Sequence, residues 1–282
     1  MKKISYLGPN GTFTEYAAKV LFPNDTIIPY PTIPDCMDAV SDGETDYCVV
    51  PIENAIEGTV NLTIDYLFHH KLPIIADIVI PINQHFMIHP KNINDVDEVT
   101  DVYSHPQAIA QTHHFLRKTY PKVEIHYTNS TAAAAKFVKE HPEKKIAAIA
   151  NEFAAETYEL SIVHKNINDF QNNHTKFVVL AKTHDKIPVN DNYIGDKTTF
   201  KITLPSDYSG ALHQVLSAFA WRKLNLTKIE SRPQKTGLGN YFFIIDVEMK
   251  ADDVLIPGVK AELEALGCGV QIIGSYPCFK VE

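Results

Sequence analysis

The chain has 282 residues, 45% of them hydrophobic and 21% charged, which suits about two domains with cores of their own and excludes a disordered polymer. Lys and Arg number 26 against 34 Asp and Glu, a net charge of −8, and no window gathers the cations into a patch, so nucleic acid is excluded as a partner. No run approaches the roughly 20 apolar residues of a spanning helix: the longest such stretch, Leu72 to Ile82, contains Pro73, Asp77 and Pro81.

In chain order, Lys3 to Leu7 reads as a strand that leads through Gly8-Pro9-Asn10-Gly11 into a helix from Phe13 to Leu21. Thr12 and Glu15 at capping-box spacing make Thr12 the expected N-cap. The apolar stretch of the opening MKKISYLGPNG breaks at Gly8 and Pro9, too short for a signal-peptide core, so a cytoplasmic protein is expected. Tyr47 to Pro51 reads as a second strand, Ile52 to Thr59 as a polar turn, and Val60, Ile64, Leu67 and Phe68 as one face of a helix. Ile74 to Ile82 looks like a strand crossing out of a first lobe.

Val99 to Ser104 is a further strand, followed by Pro106 as a first-turn proline. Glu124 to Thr128 leads to Ser130, the cap of an alanine-rich helix from Thr131 to Lys139. Ile146 to Ala150 and the helix Glu152 to Tyr158 repeat the pattern, and Asn173 to Leu180 is the return strand. Strand–turn–helix grammar of this kind is α/β, and the turns after the strands gather at one carboxyl edge. There, helix N-termini turn free N–H groups toward whatever binds. Those turns supply Thr12, Thr14, Glu53, Asn54, Ser104, His105, Gln107, Ser130 and Thr131, a set suited to a small polar acid. Arginine is missing from it.

The polar, aperiodic stretch Thr183 to Lys197 marks a linker over 183–198. Beyond it, Thr199 to Leu204, Leu226 to Arg232, Tyr241 to Met249 and Gly269 to Tyr276 read as strands, with helices from Gly210 to Lys223 and from Pro257 to Leu266 and a turn at Gly237 to Asn240. That order, βαββαβ, is ferredoxin-like. Cys36, Cys48, Cys268 and Cys278 are scattered without a CxxC pair, and His69-His70 and His113-His114 fit solvated helix surface, so neither disulfides nor a metal site is expected.

The stretches GPNGTFTEYAA (8–18), VPIENAIEGTV (50–60), SHPQAIAQ (104–111), NSTAAAA (129–135) and NHTKFVVL (173–180), in that order, resemble the prephenate dehydratase family. GALHQVLSAF (210–219) and NLTKIESRP (225–233) resemble the ACT regulatory domain that the family carries after its catalytic part. The resemblance implies a two-lobed, periplasmic-binding-protein-like catalytic domain over 1–182, with crossovers near 74–82 and 173–180, and an ACT domain over 199–282. It implies loss of water and carbon dioxide from prephenate to give phenylpyruvate, without a cofactor, in phenylalanine biosynthesis. Thr175 is then the expected catalytic residue, with Lys176 and Glu53 beside it. Substrate contacts are expected from Thr12, Thr14, Asn54, Ser104, His105, Gln107, Ser130, Thr131 and Phe177.

L-Phenylalanine, the end product, is expected to bind Gly210, Ala211, Leu212, Asn225, Leu226, Glu230, Ser231, Arg232 and Pro233 and to inhibit. A homodimer or tetramer would cover the exposed edge of the ferredoxin-like sheet. Three positions depart from the family: Lys176 where an arginine is usual, Ala55 where a serine is usual, and Thr112 where a cysteine is usual. The alternative reading is a non-catalytic protein, either a small-acid binder or an amino-acid-sensing regulator.

Overall fold

The computed structural model describes residues 1–206, 208–234 and 241–282. The backbone divides into two units: Met1–Tyr66 with Val79–Phe177 and Val281–Glu282, and Leu67–Ile78 with Val178–Lys280. In chain order, β1 (Lys3–Leu7), α1 (Phe13–Leu21), β2 (Thr26–Tyr30), α2 (Ile33–Asp42), β3 (Tyr47–Asn54), the short β4 (Gly58–Thr59) and α3 (Asn61–His70) precede β5 (Ile74–Pro81). There follow β6 (His85–Ile88), a 3-10 segment (Pro90–Glu98), β7 (Asp101–Ser104), α4 (Pro106–Ala110), α5 (His113–Thr119) and β8 (Glu124–Tyr127). Then come α6 (Thr131–Glu140), β9 (Ile146–Ala150), α7 (Glu152–Tyr158), β10 (Ser161–His164) and the return strand β11 (His174–Ala181).

The first unit holds two sheets, one per lobe. In the first, β1 lies between β2 and β3, parallel to both, and β11 adjoins β3. In the second, ordered β10-β6-β9-β7-β8, β7 is parallel to β8 and β9. Parallel strands buried under helices read as apolar runs, and Tyr47–Val50 and Ile146–Ala150 are buried throughout. Thr12 caps α1 by accepting from Glu15 N–H at 3.2 Å, while the Glu15 carboxylate accepts from Gly11 N–H at 2.6 Å. Gly11 has φ +84, and a Cβ there would meet the Tyr158 ring at 2.9 Å, so both conformation and space demand glycine.

The expected turn over Ile52 to Thr59 is shorter than the sequence suggests. β3 runs on through Asn54 and turns back as β4, with Glu53 opposite Thr59 and Asn54 opposite Gly58. Cross-strand partners that are only a few residues away, at the end of an apolar strand, carry the pairing into a polar segment.

In the second unit, β12 (Tyr193–Thr203), α8 (Ala211–Ala220), β13 (Leu226–Pro233), β14 (Tyr241–Val247), α9 (Leu255–Ala265) and β15 (Gly269–Lys280) form an antiparallel sheet ordered β13-β14-β12-β15. Val215 and Phe219 of α8 and Val259 and Leu263 of α9 share one core with Phe200, Ile202, Ile245 and Val247, the ferredoxin-like arrangement. The linker expected over 183–198 is corrected in part: β12 begins at Tyr193 because β15 continues to Lys280 and pairs with it, Tyr193 opposite Phe279 and Asp196 opposite Pro277. The second unit also takes in Leu67–Ile78, which the sequence assigns to the N-terminal body. The turn expected at Gly237 to Asn240 lies outside the described residues. Among those described, no helix is long and apolar enough to cross a membrane.

Candidate active site

β11 delivers its side chains alternately to two faces. Thr175 and Phe177 are buried on one, Lys176 is half-buried on the other. The Asn54 amide, at the end of β3, donates through Nδ2 to Thr175 Oγ1 at 2.8 Å and to Asn173 Oδ1 at 2.9 Å. Its Oδ1 accepts from the N–H groups of Ile56 and Glu57, each at 3.0 Å, which ties the β3–β4 turn to the same side chain. Asn173 Nδ2 in turn donates to Gln111 Oε1 at 3.0 Å. Because Thr175 Oγ accepts from Asn54, its own hydrogen is directed to another acceptor.

These residues wall a cavity of about 530 Å³ between the two lobes of the first unit. Three helices begin on its lining, at Thr12 (α1), His105 (α4) and Ser130 (α6). The cap side chains serve their own helices: Ser130 Oγ accepts from Ala133 N–H at 3.0 Å and His105 Nδ1 from Gln107 N–H at 3.3 Å. The dipoles and first-turn N–H groups therefore make this end of the cleft anion-attracting. Glu57 and His105 are the titratable lining residues among those described, and neither Lys nor Arg is there. Burial holds the His105 imidazole below its ordinary value, against the opposing pull of Glu57. His105 is thus neutral at pH 7, with its hydrogen on Nε2, since Nδ1 accepts.

Of the residues expected from sequence, Thr12, Thr14, Asn54, His105, Gln107, Ser130, Thr131, Thr175 and Phe177 line the cavity. Three do not. Ser104 is fully buried and its Oγ donates to Ile149 O at 2.6 Å, inside the sheet. Glu53 and Lys176 pair with one another at 3.4 Å, each one residue out of phase with the Asn54 and Thr175 that reach the cavity. Strand alternation turns Lys176 to the face of β11 opposite Thr175 and Phe177. His105, in the turn before Pro106, is the N-cap of α4.

Sequence reasoning missed Gln84, Gln111, Asn173 and Glu57, which also line the cavity. Gln111 stands four residues after Gln107, the same face of a helix, and that spacing was a usable signal. Asn173 meets Asn54 across 119 residues, a pairing that no local pattern encodes.

In the second unit, Gly210 is the N-cap of α8, with φ +89 and no side-chain bond of its own, and Ala211 N–H donates to Tyr208 O at 3.1 Å. Ala211 is buried and Leu212 packs against the core. Asn225 Nδ2 donates to Glu248 Oε2 at 2.5 Å. Along β13, Leu226, Lys228, Glu230 and Arg232 are half-buried, whereas Ser231 and Pro233 are exposed on the opposite face. Glu230 pairs with Lys228 at 3.0 Å and with Arg232 at 3.5 Å. One group among the described residues has metal-ligand spacing, Asp101, Glu124 and His126, and it does not line the cavity.

Residues 4–185 match the family model described as prephenate dehydratase. The prephenate dehydratase of Bacillus subtilis (strain 168) is 53% identical over 284 residues, covering 99% of this chain and 100% of that one. Among solved structures, the prephenate dehydratase of Arthrobacter aurescens in complex with L-Phe superposes with a TM-score of 0.84 at 32% identity, covering 97% of this chain and 89% of that one. The prephenate dehydratase from Staphylococcus aureus subsp. aureus Mu50 gives 0.82 at 32% identity, covering 97% and 99%.

Proposed function

The chain belongs to the prephenate dehydratase family, and from that premise we propose that the cleft of its first unit removes water and carbon dioxide from prephenate, with Thr175 at the departing hydroxyl. Prephenate carries two carboxylates. The N-termini of α1 and α6, the hydroxyls of Thr14 and Thr131 and the His105 Nε2–H offer donors to them, and the absence of a lining cation among the described residues leaves those dipoles as the anion-holding device. Leu7, Phe13, Val60 and Phe177 supply apolar wall, which strips water from the carboxylate that leaves.

In the reaction the ring C–O bond breaks, and the oxygen keeps the electron pair, takes a proton and departs as water. The bond from the ring to its carboxylate breaks as well. Its pair enters the ring, which becomes aromatic as carbon dioxide leaves. Thr175 is too weak an acid to surrender its proton for good; it donates a hydrogen bond to the departing oxygen, and water relays the net proton. The observation that carries this reading is the Asn54 Nδ2–Thr175 Oγ1 bond of 2.8 Å, which occupies the threonine oxygen as an acceptor and leaves its hydrogen for another partner. Thr175→Ala is expected to lower kcat on the order of 10²-fold or more with Tm nearly unchanged, and Thr175→Ser to retain more; phenylpyruvate formation, followed in alkali, is the measurement. Near-normal turnover in the alanine variant would overturn the assignment.

We also propose that L-phenylalanine binds the second unit as an inhibitor and that the protein is a homodimer or tetramer. The N-terminus of α8, where the N-cap is a glycine with no side chain to occupy the first-turn N–H groups, suits an amino-acid carboxylate, and the Arthrobacter relative was solved with L-Phe. Calorimetry with L-phenylalanine is expected to give saturable binding, and rate assays inhibition of about 5- to 150-fold; no binding at millimolar ligand would refute the regulatory reading. The relatives are enzymes, which disfavours a non-catalytic binder or sensor.

A further inference from the structure

Gln84 is 3% exposed and lines the cavity, and its side-chain Oε1 is the one buried side-chain polar atom without a hydrogen-bond partner among the described residues. Buried polar atoms in folded proteins are almost always paired, so an orphan in a cavity wall calls for a reason. The backbone at this point is fully engaged. Gln84 N–H donates to Asn168 Oδ1 at 2.7 Å, Gln84 O accepts from Ile167 N–H at 2.9 Å, and Asn168 Nδ2 donates to Ile82 O at 2.8 Å. The main chain is therefore a fixed mount, and only the carboxamide can adapt. Its terminal torsion is broad, so turning the oxygen toward the cavity costs little.

The chemistry of the orphan selects its partner. An amide oxygen accepts and cannot donate. The two carboxylates and the keto group of prephenate are all acceptors, and its ring hydroxyl is the sole donor. Ile82, two residues before Gln84, donates its N–H to Asn173 O at 2.8 Å, which sets this stretch of wall beside the segment that carries Thr175. We propose that Gln84 is a specificity-determining residue that accepts the hydrogen of the substrate's ring hydroxyl while Thr175 donates to the same oxygen. The inference rests on the prephenate reading. The pair holds both ends of the C–O–H group and gives the orphan acceptor its partner only when substrate is bound.

The test uses two ligands that differ at this one group: phenylpyruvate, which lacks a ring hydroxyl, and 4-hydroxyphenylpyruvate, which carries one at the same ring position. Dissociation constants are measured for both by calorimetry on the full chain, wild type and Gln84→Met. The methionine keeps the length and removes the acceptor. The preference for 4-hydroxyphenylpyruvate over phenylpyruvate is expected to fall about tenfold in the variant, as for loss of one hydrogen bond, with phenylpyruvate affinity within about twofold of wild type and KM for prephenate raised. An unchanged preference, or equal weakening of both ligands, overturns the proposal. Should Gln84→Met fail to fold, Gln84→Asn, which withdraws the same amide by one methylene, provides the same ratio. Failure of the underlying reading is separately visible, because the wild type would then not turn prephenate over.

Discussion

Lys176 shows how one residue of phase decides a role. Its family counterpart is an arginine, and the sequence places it beside Thr175, which invites a carboxylate-binding assignment. In the strand, neighbours face opposite ways, and Lys176 pairs with Glu53 at 3.4 Å with its side chain 24% exposed. A partly exposed pair of this kind contributes about 0–1 kcal/mol. Lys176→Met is therefore expected to change KM for prephenate by less than about twofold and to leave kcat intact, since a lost surface pair alone does not reach the substrate. Steady-state kinetics at low and moderate ionic strength check this; a KM rise of about tenfold or more would restore the lysine to the substrate. Asn54, one residue beyond Glu53, has the opposite phase: its amide holds the β3–β4 turn and also donates to the Thr175 hydroxyl.

Elements whose termini carry capping chemistry were legible: α1 with Thr12 and α6 with Ser130 stand where the sequence puts them, and each opens on the cavity. β2 was missed because Pro29 interrupts its run. The strand is terminal in its sheet, where a proline costs no ladder bond on the open side. β6 escaped too, as four residues flanked by polar ones, and its first residue carries a pH dependence. His85 is 3% exposed, and its Nδ1 accepts from Asn166 N–H at 3.1 Å. Burial, helped by Lys165 and opposed by Glu152, lowers its pKa. The unfolded state thus binds a proton more readily than the folded one, so stability is full above the ordinary histidine value of about 6.5 and is lost as pH falls below it. His85→Gln, which keeps an acceptor and cannot titrate, is expected to lose less of its urea midpoint between pH 7 and pH 5 than wild type. Parallel loss in the two proteins would assign the acid sensitivity elsewhere.

At the scale of the whole molecule, the chain's order in sequence and its grouping in space part company at residues 67–78. A reading by composition and motif cuts the chain once, near residue 183, because linkers announce themselves by polarity and pairing partners do not. The second unit nonetheless contains Asp77, whose side chain is 2% exposed and whose Oδ2 accepts from Lys197 Nζ at 2.8 Å. Asp246 Oδ2 lies 3.9 Å from the same ammonium, and Thr199 Oγ1 bonds both Asp246 Oδ1 and the Tyr276 hydroxyl at 2.7 Å. Burial alone would depress the Lys197 pKa; the Asp77 carboxylate, then Cys278 and Asp246, outweigh it, and the net shift is upward. The charged lysine is thus what makes two buried carboxylates tolerable. Removing one partner of such a group leaves an uncompensated buried charge and costs about 3–5 kcal/mol, whereas replacing the pair by apolar residues of similar size is often neutral. Lys197→Met is accordingly expected to lower the unfolding free energy by about that amount, and Lys197→Met with Asp77→Leu to recover a large part of it. Urea unfolding of the two variants decides between this and a merely superficial pair: a single substitution costing under about 1 kcal/mol would show that residues 67–78 are held in the second unit by packing alone.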